Sequence, residues 1–237
     1  MRQALVLAAG LGTRLRPLTN VCAKPALPVA GEPIVRRIAR WLATHGVRDL
    51  VVNLHYLPQT VTAVLGDGSD LSVRVRYSWE QPRILGSAGG PRQALDILGA
   101  ETFVIVNGDT LTDLNLQALM DAHRASDALV TMALIPNHEP EKYGGVLLDR
   151  DDCVTAFVPR GAAAVGSHHF IGVQVAGAAA FRGVPMGQPA QSVGGVYETL
   201  IAARRGAIRG IVSTASFWDI GTVEDYERTS RAFERPS

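Results

Sequence analysis

Two cationic side chains near the start of the chain have the chemistry to bind phosphate groups. Arg14 closes a loop that carries Gly10 and Gly12 and follows the apolar run 4–7. Glycines let backbone N–H groups approach a phosphate closely, because no Cβ stands in the way. Arginine adds a rigid cationic fork that suits phosphate oxygens, and Lys24 stands just before a proline that stiffens its segment. Each motif alone is also compatible with a plain turn or a solvated surface lysine.

Two aspartates each follow a short apolar run, a position from which a carboxylate can reach the edge of a sheet. Asp109 follows the run 103–106, and Asp219 follows Phe217-Trp218. One or two carboxylates together with substrate phosphates are typical of Mg²⁺ sites. Aspartate is also common in turns and helix caps, and we expect Asp113 to cap a helix that begins near residue 114. The sequence alone does not establish that the two aspartates meet.

The elements that must position these residues alternate between strand and helix in the first half of the chain. Hydrophobic periodicity predicts strands over 4–8, 49–54, 71–77 and 102–106, and helices over 34–44, 59–65, 88–98 and 114–123. This alternation favours a mostly parallel sheet with helices on both faces. Ligands of such sheets bind beyond the carboxyl ends of the strands, where the glycine loop and the segment after residue 106 lie.

The second half is richer in strands. The pattern predicts strands over 129–134, 145–148, 154–158, 169–175 and 208–213, with helices over 197–204 and from about 223. We therefore expect one α/β domain over 1–237, a three-layer α/β/α arrangement with a mixed, mostly parallel central sheet. A small β-rich lobe would lie over the ligand edge of that sheet.

Composition narrows the class of protein. The chain has 237 residues, 47% hydrophobic and 19% charged, with a formal net charge of +1. These values are ordinary for a globular domain and do not favour a broad nucleic-acid or membrane surface. Cys22 and Cys153 lack disulfide-framework or metal-site spacing, and the N-terminus lacks a signal-peptide pattern. We expect a cytoplasmic protein with no nucleic-acid or membrane partner.

A second glycine-rich turn and a tyrosine-glycine pair add further candidates for ligand binding. The turn at Gly86-Ser87 and Gly89 could pack against a flat nucleobase, and Glu80 and Gln81 could hydrogen-bond to its edge. Tyr143-Gly144 could present backbone groups to a sugar, or could simply begin a strand.

In combination and in this order, the motifs resemble those of the sugar-1-phosphate nucleotidyltransferases. The resemblance extends from residue 5 to about residue 226, nearly the whole chain. It is carried by the segments 7–19, 24–25, 85–90, 107–109, 143–144 and 218–221. It implies a Rossmann-like fold with a nucleotide-binding half over about 1–115 and a sugar-phosphate-binding half over about 116–237.

The resemblance also implies a reaction and a set of site residues. In that family a sugar 1-phosphate attacks the α-phosphorus of a nucleoside triphosphate, which gives a nucleoside-diphosphate sugar and pyrophosphate with the help of Mg²⁺. The implied catalytic residues are Arg14, Lys24, Asp109 and Asp219, with Asp109 and Asp219 as metal ligands. The implied nucleotide-binding residues are Leu7, Ala8, Ala9, Gly10, Gly12, Thr13, Arg14, Glu80, Gln81, Gly86, Ser87 and Gly89. The implied sugar-phosphate-binding residues are Asn107, Gly108, Tyr143, Gly144, Arg160, Phe170 and Gly172.

Two departures fall in the sugar half and leave the substrate open. Where many relatives have Glu-Lys-Pro, this chain has Pro159-Arg160-Gly161, and Phe170 stands where many have a polar residue. The motifs resemble guanylyltransferases acting on mannose 1-phosphate and, equally, uridylyltransferases acting on N-acetylmuramate 1-phosphate. We expect no appended β-helix acyltransferase domain, and a homo-oligomer is possible. The alternative hypothesis is a catalytically silent regulatory protein that binds a nucleoside-diphosphate sugar on the same fold.

Overall fold

The computed structural model describes residues 2–234. The strands within this range are β1 (Gln3–Leu7), β2 (Pro28–Val29), β3 (Glu32–Pro33), β4 (Asp49–Leu54), β5 (Arg74–Trp79), β6 (Thr102–Asn107), β7 (Thr110–Thr112), β8 (Val130–Pro136), β9 (Gly145–Leu148), β10 (Val154–Val158), β11 (His168–Gly177), β12 (Ile208–Val212) and β13 (Phe217–Asp219). The α-helices are α1 (Ile34–Thr44), α2 (Pro58–Leu65), α3 (Gly86–Leu98), α4 (Leu116–Arg124), α5 (Tyr197–Ala203) and α6 (Val223–Glu234).

The described part of the chain forms a mixed central sheet of nine strands. Its main path runs β10-β9-β11-β6-β1-β4-β5, and β8 joins it by pairing with β11 and β12. The strands β6, β1, β4 and β5 are parallel neighbours, whereas β11 runs antiparallel to β6 and β8. The predicted α/β class is confirmed. The β-rich region continues the same sheet, because β9 pairs with both β10 and β11.

Both faces of the sheet are buried, which explains the unbroken apolar runs of its strands. Along β1, Ala4 and Val6 point into one hydrophobic cluster, and Leu5 points into the other. The first cluster also contains the buried face of α1, with Ile38 and Leu42. The second contains Ala94 of α3. Helices therefore cover both faces, and the layers are α/β/α.

One predicted helix cap is wrong. The helix expected from residue 114 begins at Leu116, and its cap is Asn115, whose side chain accepts a hydrogen bond from the N–H of Ala118. Asp113 accepts a hydrogen bond from the N–H of Ser216 instead, at 2.7 Å. A tertiary contact 103 residues away along the chain thus takes the carboxylate that local reasoning assigned to the helix.

Among the described residues, none of the helices has the length and apolar character needed to cross a membrane. The division into a nucleotide-binding half and a sugar-phosphate-binding half stays a prediction.

Candidate active site

A cavity of about 470 Å³ opens at the carboxyl ends of β1 and β6. This is the edge at which open α/β sheets bind ligands. Most of its walls come from the loop after β1, the start of α3 and the segment after β6. The Lys24-Pro25 turn, Asn53 of β4 and Gly221 after β13 complete them. The lining residues are Leu7, Ala8, Ala9, Gly10, Leu11, Gly12, Thr13, Arg14, Leu15, Lys24, Pro25, Asn53, Ile84, Gly86, Ser87, Asn107, Gly108, Asp109 and Gly221.

The glycine loop lies along one wall of this cavity. Gly12 has a φ of 63° and its carbonyl accepts a hydrogen bond from Thr19 Oγ1 at 2.8 Å. A Cβ at Gly12 would lie 2.9 Å from the Thr19 side chain, so the turn requires glycine on two counts. The loop ends in the 3-10 turn Thr13–Leu15, which carries the exposed Arg14 at the cavity.

Lys24 and Asp109 form an ion pair inside the cavity. Lys24 Nζ donates a hydrogen bond to Asp109 Oδ2 at 2.5 Å, and the side chains are 11% and 34% exposed. Lys24 begins a 3-10 turn whose next two residues are buried, so its backbone is anchored although its ammonium group faces the cavity. Because Lys24 is mostly buried and paired with Asp109, the alternative interpretation of Lys24 as a solvated surface lysine is excluded.

Asp219 is brought to Asp109 by a small sheet that the sequence did not predict. Strands β7 and β13 pair antiparallel, with Asp219 opposite Thr110, the residue after Asp109. A Cβ at Gly221 would lie 2.9 Å from Asp219 Oδ2 and 3.4 Å from Arg14 Nη1. The guanidinium of Arg14 therefore lies close to Asp219, and Asp219 lies close to the Asp109 carboxylate.

The pKa of Asp219 is raised by its surroundings. Burial raises the pKa of Asp219, the nearby Asp109 carboxylate raises it further, and the ammonium of Lys24 opposes the rise. Tyr143 Oη donates a hydrogen bond to Asp219 Oδ2 at 3.2 Å. Two carboxylates held together at a cavity form a site that a cation would stabilise.

The two aspartates fit the donor chemistry of magnesium. Within residues 2–234, no group of three or more His, Cys, Asp or Glu side chains has the geometry to hold a metal by itself. Magnesium is usually held by one or two carboxylates plus substrate phosphates rather than by a complete protein cage. A pair of carboxylates beside a loop that is predicted to bind phosphates matches this preference.

An aromatic stack supports the tyrosine. The rings of Tyr143 and His169 lie 4.1 Å apart, and His169 lies 5.1 Å from Phe217 on β13. Lys142, beside the tyrosine, donates a hydrogen bond to the buried Asp225 of α6 at 2.8 Å. The predicted sugar-side residue Tyr143 therefore lies next to the predicted metal ligand, fixed from two sides.

His169 gives this stack a pH dependence. Burial lowers its pKa to about 4 from 6.5, so the native state holds it neutral where an unfolded chain would protonate it. The free energy of unfolding should therefore fall as pH decreases from 6.5 to 4, by roughly 3 kcal/mol from this residue. Urea unfolding at several pH values should show that His169→Phe removes this residue's share of the dependence, whereas His138→Phe, at an exposed site, leaves that share in place. An unchanged dependence in His169→Phe would contradict this account.

Three sugar-side residues lie elsewhere than expected. Phe170 packs against the second hydrophobic cluster, and Arg160 is exposed in the loop after β10; neither lines the cavity. Gly172, with a φ of 78°, lies in an irregular part of β11, where a Cβ would come within 2.7 Å of Asn107 Nδ2. Gly172 therefore shapes the cavity indirectly, by leaving room for Asn107, which does line it with Gly108.

Five residues predicted on the nucleotide side lie in different surroundings. Gly86 and Ser87 line the cavity, and Gln81 is exposed outside it. Gly89 packs closely against the backbone of Gln188, because a Cβ at Gly89 would lie 2.5 Å from the Gln188 carbonyl oxygen. The prediction that Glu80 reads a base edge is wrong, because its side chain is fully buried and accepts hydrogen bonds from the protein.

Sequence reasoning missed Asn53. Its side chain lines the cavity, and Asn53 Oδ1 accepts a hydrogen bond from the N–H of Ala8 at 2.6 Å. The signal was available, because Asn53 is a polar residue near the carboxyl end of a buried strand, as Asp109 follows another. Ile84, also a lining residue, carried no comparable signal.

The sequence is similar to those of known nucleotidyltransferases. The chain is 34% identical over 228 residues to a mannose-1-phosphate guanylyltransferase from Mycobacterium tuberculosis, covering 96% of this chain and 63% of that one. It is 40% identical over 136 residues to an N-acetylmuramate alpha-1-phosphate uridylyltransferase from Neisseria meningitidis, covering 57% and 55%. The chain thus spans less than two thirds of these two relatives.

A relative of similar length and a solved structure add to this comparison. The chain is 29% identical over 232 residues to a D-glycero-alpha-D-manno-heptose 1-phosphate guanylyltransferase from Aneurinibacillus thermoaerophilus, covering 98% of both. The crystal structure of HddC from Yersinia pseudotuberculosis superposes with a TM-score of 0.84 at 23% identity, covering 98% of this chain and 100% of that one, which shows the shared fold. The family model described as nucleotidyl transferase matches residues 3–235. With the ordered motifs and the cavity they line, this match shows that the chain belongs to the sugar-1-phosphate nucleotidyltransferase family.

Proposed function

We propose that the protein joins a nucleoside triphosphate to a sugar 1-phosphate and releases pyrophosphate. The observation that carries the proposal is that Arg14, Lys24 and Asp109 line one cavity next to a glycine loop, with Asp219 close to Asp109 and to the lining residue Gly221. Two cations and two carboxylates are the components needed to hold two phosphorylated substrates against each other.

The reaction needs no nucleophile from the protein. A phosphate oxygen of the sugar 1-phosphate attacks the α-phosphorus, the bond from that phosphorus to the bridging oxygen breaks, and pyrophosphate leaves with the bonding electrons. Catalysis is then mainly alignment of the two substrates and stabilisation of the charge that develops. The cavity is suited to this task, because its charged groups are fixed by local backbone structure.

The residues divide these tasks. The loop of Gly10 and Gly12 and the guanidinium of Arg14 would hold the phosphates that depart. Lys24, in contact with Asp109 at 2.5 Å, would neutralise negative charge around the reacting phosphorus. Mg²⁺ bound by Asp109 and Asp219 would supply a divalent charge that orients both substrates. Tyr143, on Asp219 at 3.2 Å, would hold that carboxylate in place.

The relatives suggest which substrates to test first. The guanylyltransferases named for mannose 1-phosphate and for a manno-heptose 1-phosphate each cover at least 96% of this chain. GTP with a manno-configured sugar 1-phosphate is therefore our first choice. UTP with N-acetylmuramate 1-phosphate is the second, because the Neisseria relative is 40% identical over its shorter match. We also infer a cytoplasmic location, since Cys22 and Cys153 are free thiols.

Pyrophosphate release tests the proposal. The purified protein is incubated with Mg²⁺ and each pairing of GTP, UTP or dTTP with a panel of sugar 1-phosphates, and each substrate alone serves as the control. We expect release only when both substrates are present, with one pairing preferred. A silent nucleotide-sugar-binding protein would instead bind the product and release no pyrophosphate with any pairing.

A further inference from the structure

We propose that Glu80 is a positioning residue for the nucleotide, acting through Asn53 on the backbone of the glycine loop. The inference rests on the proposed function, since it assigns this loop to a nucleotide. Glu80 follows the last residue of β5 and is 0% exposed. A fully buried carboxylate is uncommon unless its oxygens are satisfied by donors.

The carboxylate of Glu80 is satisfied on both sides. Its Oε1 accepts a hydrogen bond from Asn53 Nδ2 at 2.7 Å, and its Oε2 accepts one from the N–H of Leu85 at 2.6 Å. Asn53 Oδ1 in turn accepts from the N–H of Ala8 at 2.6 Å. A continuous chain of hydrogen bonds therefore runs from the start of α3 to the first residue of the glycine loop.

This series of hydrogen bonds connects different walls of the cavity. Ala8 and Asn53 line it, and Leu85 immediately precedes the lining residues Gly86 and Ser87. A shift of one carboxylate would thus move both sides of the space in which the nucleotide is proposed to lie. Because positioning errors near 1 Å can lower rates strongly, a fixed backbone here has functional value.

The direction of each hydrogen bond is set by Glu80. Burial raises the pKa of Glu80, and the hydrogen bonds from Leu85 and Asn53 oppose this rise by stabilising the ionised form. Because both carboxylate oxygens accept from N–H groups, Asn53 turns its NH₂ group to Glu80 and its oxygen to Ala8. The absence of a side chain at Gly90 leaves space for this hydrogen bond, because a Cβ there would lie 2.5 Å from Glu80 Oε1 and 2.7 Å from Asn53 Nδ2. Each N–H donor in this series, from Leu85, Asn53 and Ala8, therefore has its own acceptor oxygen.

Glu80→Gln tests this order with almost no change of shape. The new amide has one acceptor oxygen in place of two, so two N–H groups in the buried chain must face each other. We expect the KM for the nucleoside triphosphate to rise by roughly tenfold and the KM for the sugar 1-phosphate to change less than about twofold. Glu198→Gln is the matched control, since Glu198 also accepts two hydrogen bonds, here from the N–H groups of Gly194 and Gly195, neither of which lines the cavity.

A double variant restores the hydrogen bonds by reversing the direction of the one between residues 53 and 80. In Asn53→Asp/Glu80→Gln, the new carboxylate accepts from Ala8 and from the new amide, which accepts from Leu85, so every N–H again has an acceptor. Backbone hydrogen exchange at Ala8 should be faster in Glu80→Gln than in the wild type and should slow again in the double variant. If Glu80→Gln does not fold, the double variant is still expected to fold and to protect the N–H of Ala8.

The outcomes separate this inference from the proposed function. Equal rises in both KM values, an unchanged KM for the triphosphate, or a double variant that fails to protect Ala8 would overturn the role of Glu80. A wild-type protein that does not bind any nucleoside triphosphate in calorimetry would overturn the proposed function. The exchange comparison needs no turnover, so it tests the hydrogen-bond chain in either case.

Discussion

Replacing Asp109 by asparagine is expected to lower kcat by about a thousandfold while leaving the fold intact. The asparagine oxygen can still accept the hydrogen bond that Lys24 donates at 2.5 Å, so the local geometry is conserved. The lost negative charge removes one of two carboxylates available to a cation, and electrostatic groups at a reacting centre are typically worth a factor of about 100 to 1,000 each. Steady-state pyrophosphate release, with circular dichroism to verify folding, measures this effect.

Asp121→Asn provides the control for a lost aspartate charge. Asp121 lies on α4 in an ion pair with Arg124, away from the cavity walls, and exposed pairs of this kind contribute little. Its kcat should stay within about twofold of the wild type. An Asp109→Asn variant that retained most of its turnover at saturating Mg²⁺ would contradict the assignment of Asp109 as a metal ligand.

Arg14→Ala is expected to lower kcat by about a hundredfold and to raise the KM for the sugar 1-phosphate by less than about threefold. Arg14 is carried by the glycine loop and approaches Gly221 beside Asp219, a position suited to the departing pyrophosphate. An interaction that strengthens as charge develops on the leaving group raises kcat more than it strengthens substrate binding. Kinetics with each substrate varied in turn separates the two effects.

The matched control is Arg16→Ala, two residues further along the chain and just after the glycine loop. Arg16 is exposed and does not line the cavity, so a general loss of positive charge should leave kcat within about twofold. Equal losses of turnover and of sugar-phosphate binding in Arg14→Ala would show that Arg14 acts on ground-state binding and not on the departing group.

The sequence predicted the alternating elements well because both faces of the sheet are buried. Strands such as Asp49–Leu54 and helices such as Ile34–Thr44 carry strong periodic signals. The position of Asp109 followed from the same logic, since a residue just beyond a buried strand stands at the ligand edge. The proximity of Asp109 to Asp219 could not be predicted, because it depends on the pairing of β7 with β13, two three-residue strands far apart in sequence.

Two site residues pack differently from what their motifs indicated, for one physical reason. Tertiary packing buries Glu80 fully and sets the half-buried Phe170 against a hydrophobic cluster, and the sugar-side role of Phe170 stays a prediction. Burial of a polar residue depends on partners that one sequence does not reveal, here Asn53 and the N–H of Leu85. Asn53 was missed although its position near the carboxyl end of a buried strand was a usable signal; only its hydrogen bond to the distant Ala8 depends on the fold.

Transfer of an α-phosphorus label tests the central claim most directly. The protein is incubated with Mg²⁺, a sugar 1-phosphate and a nucleoside triphosphate labelled with ³²P at the α-phosphorus, and the products are separated. We predict that the label appears in a nucleoside-diphosphate sugar in equal amount to the pyrophosphate released, with none attached to the protein. Label that remained in the triphosphate with every substrate pair, or that appeared only in a nucleoside mono- or diphosphate, would contradict direct transfer between the two substrates.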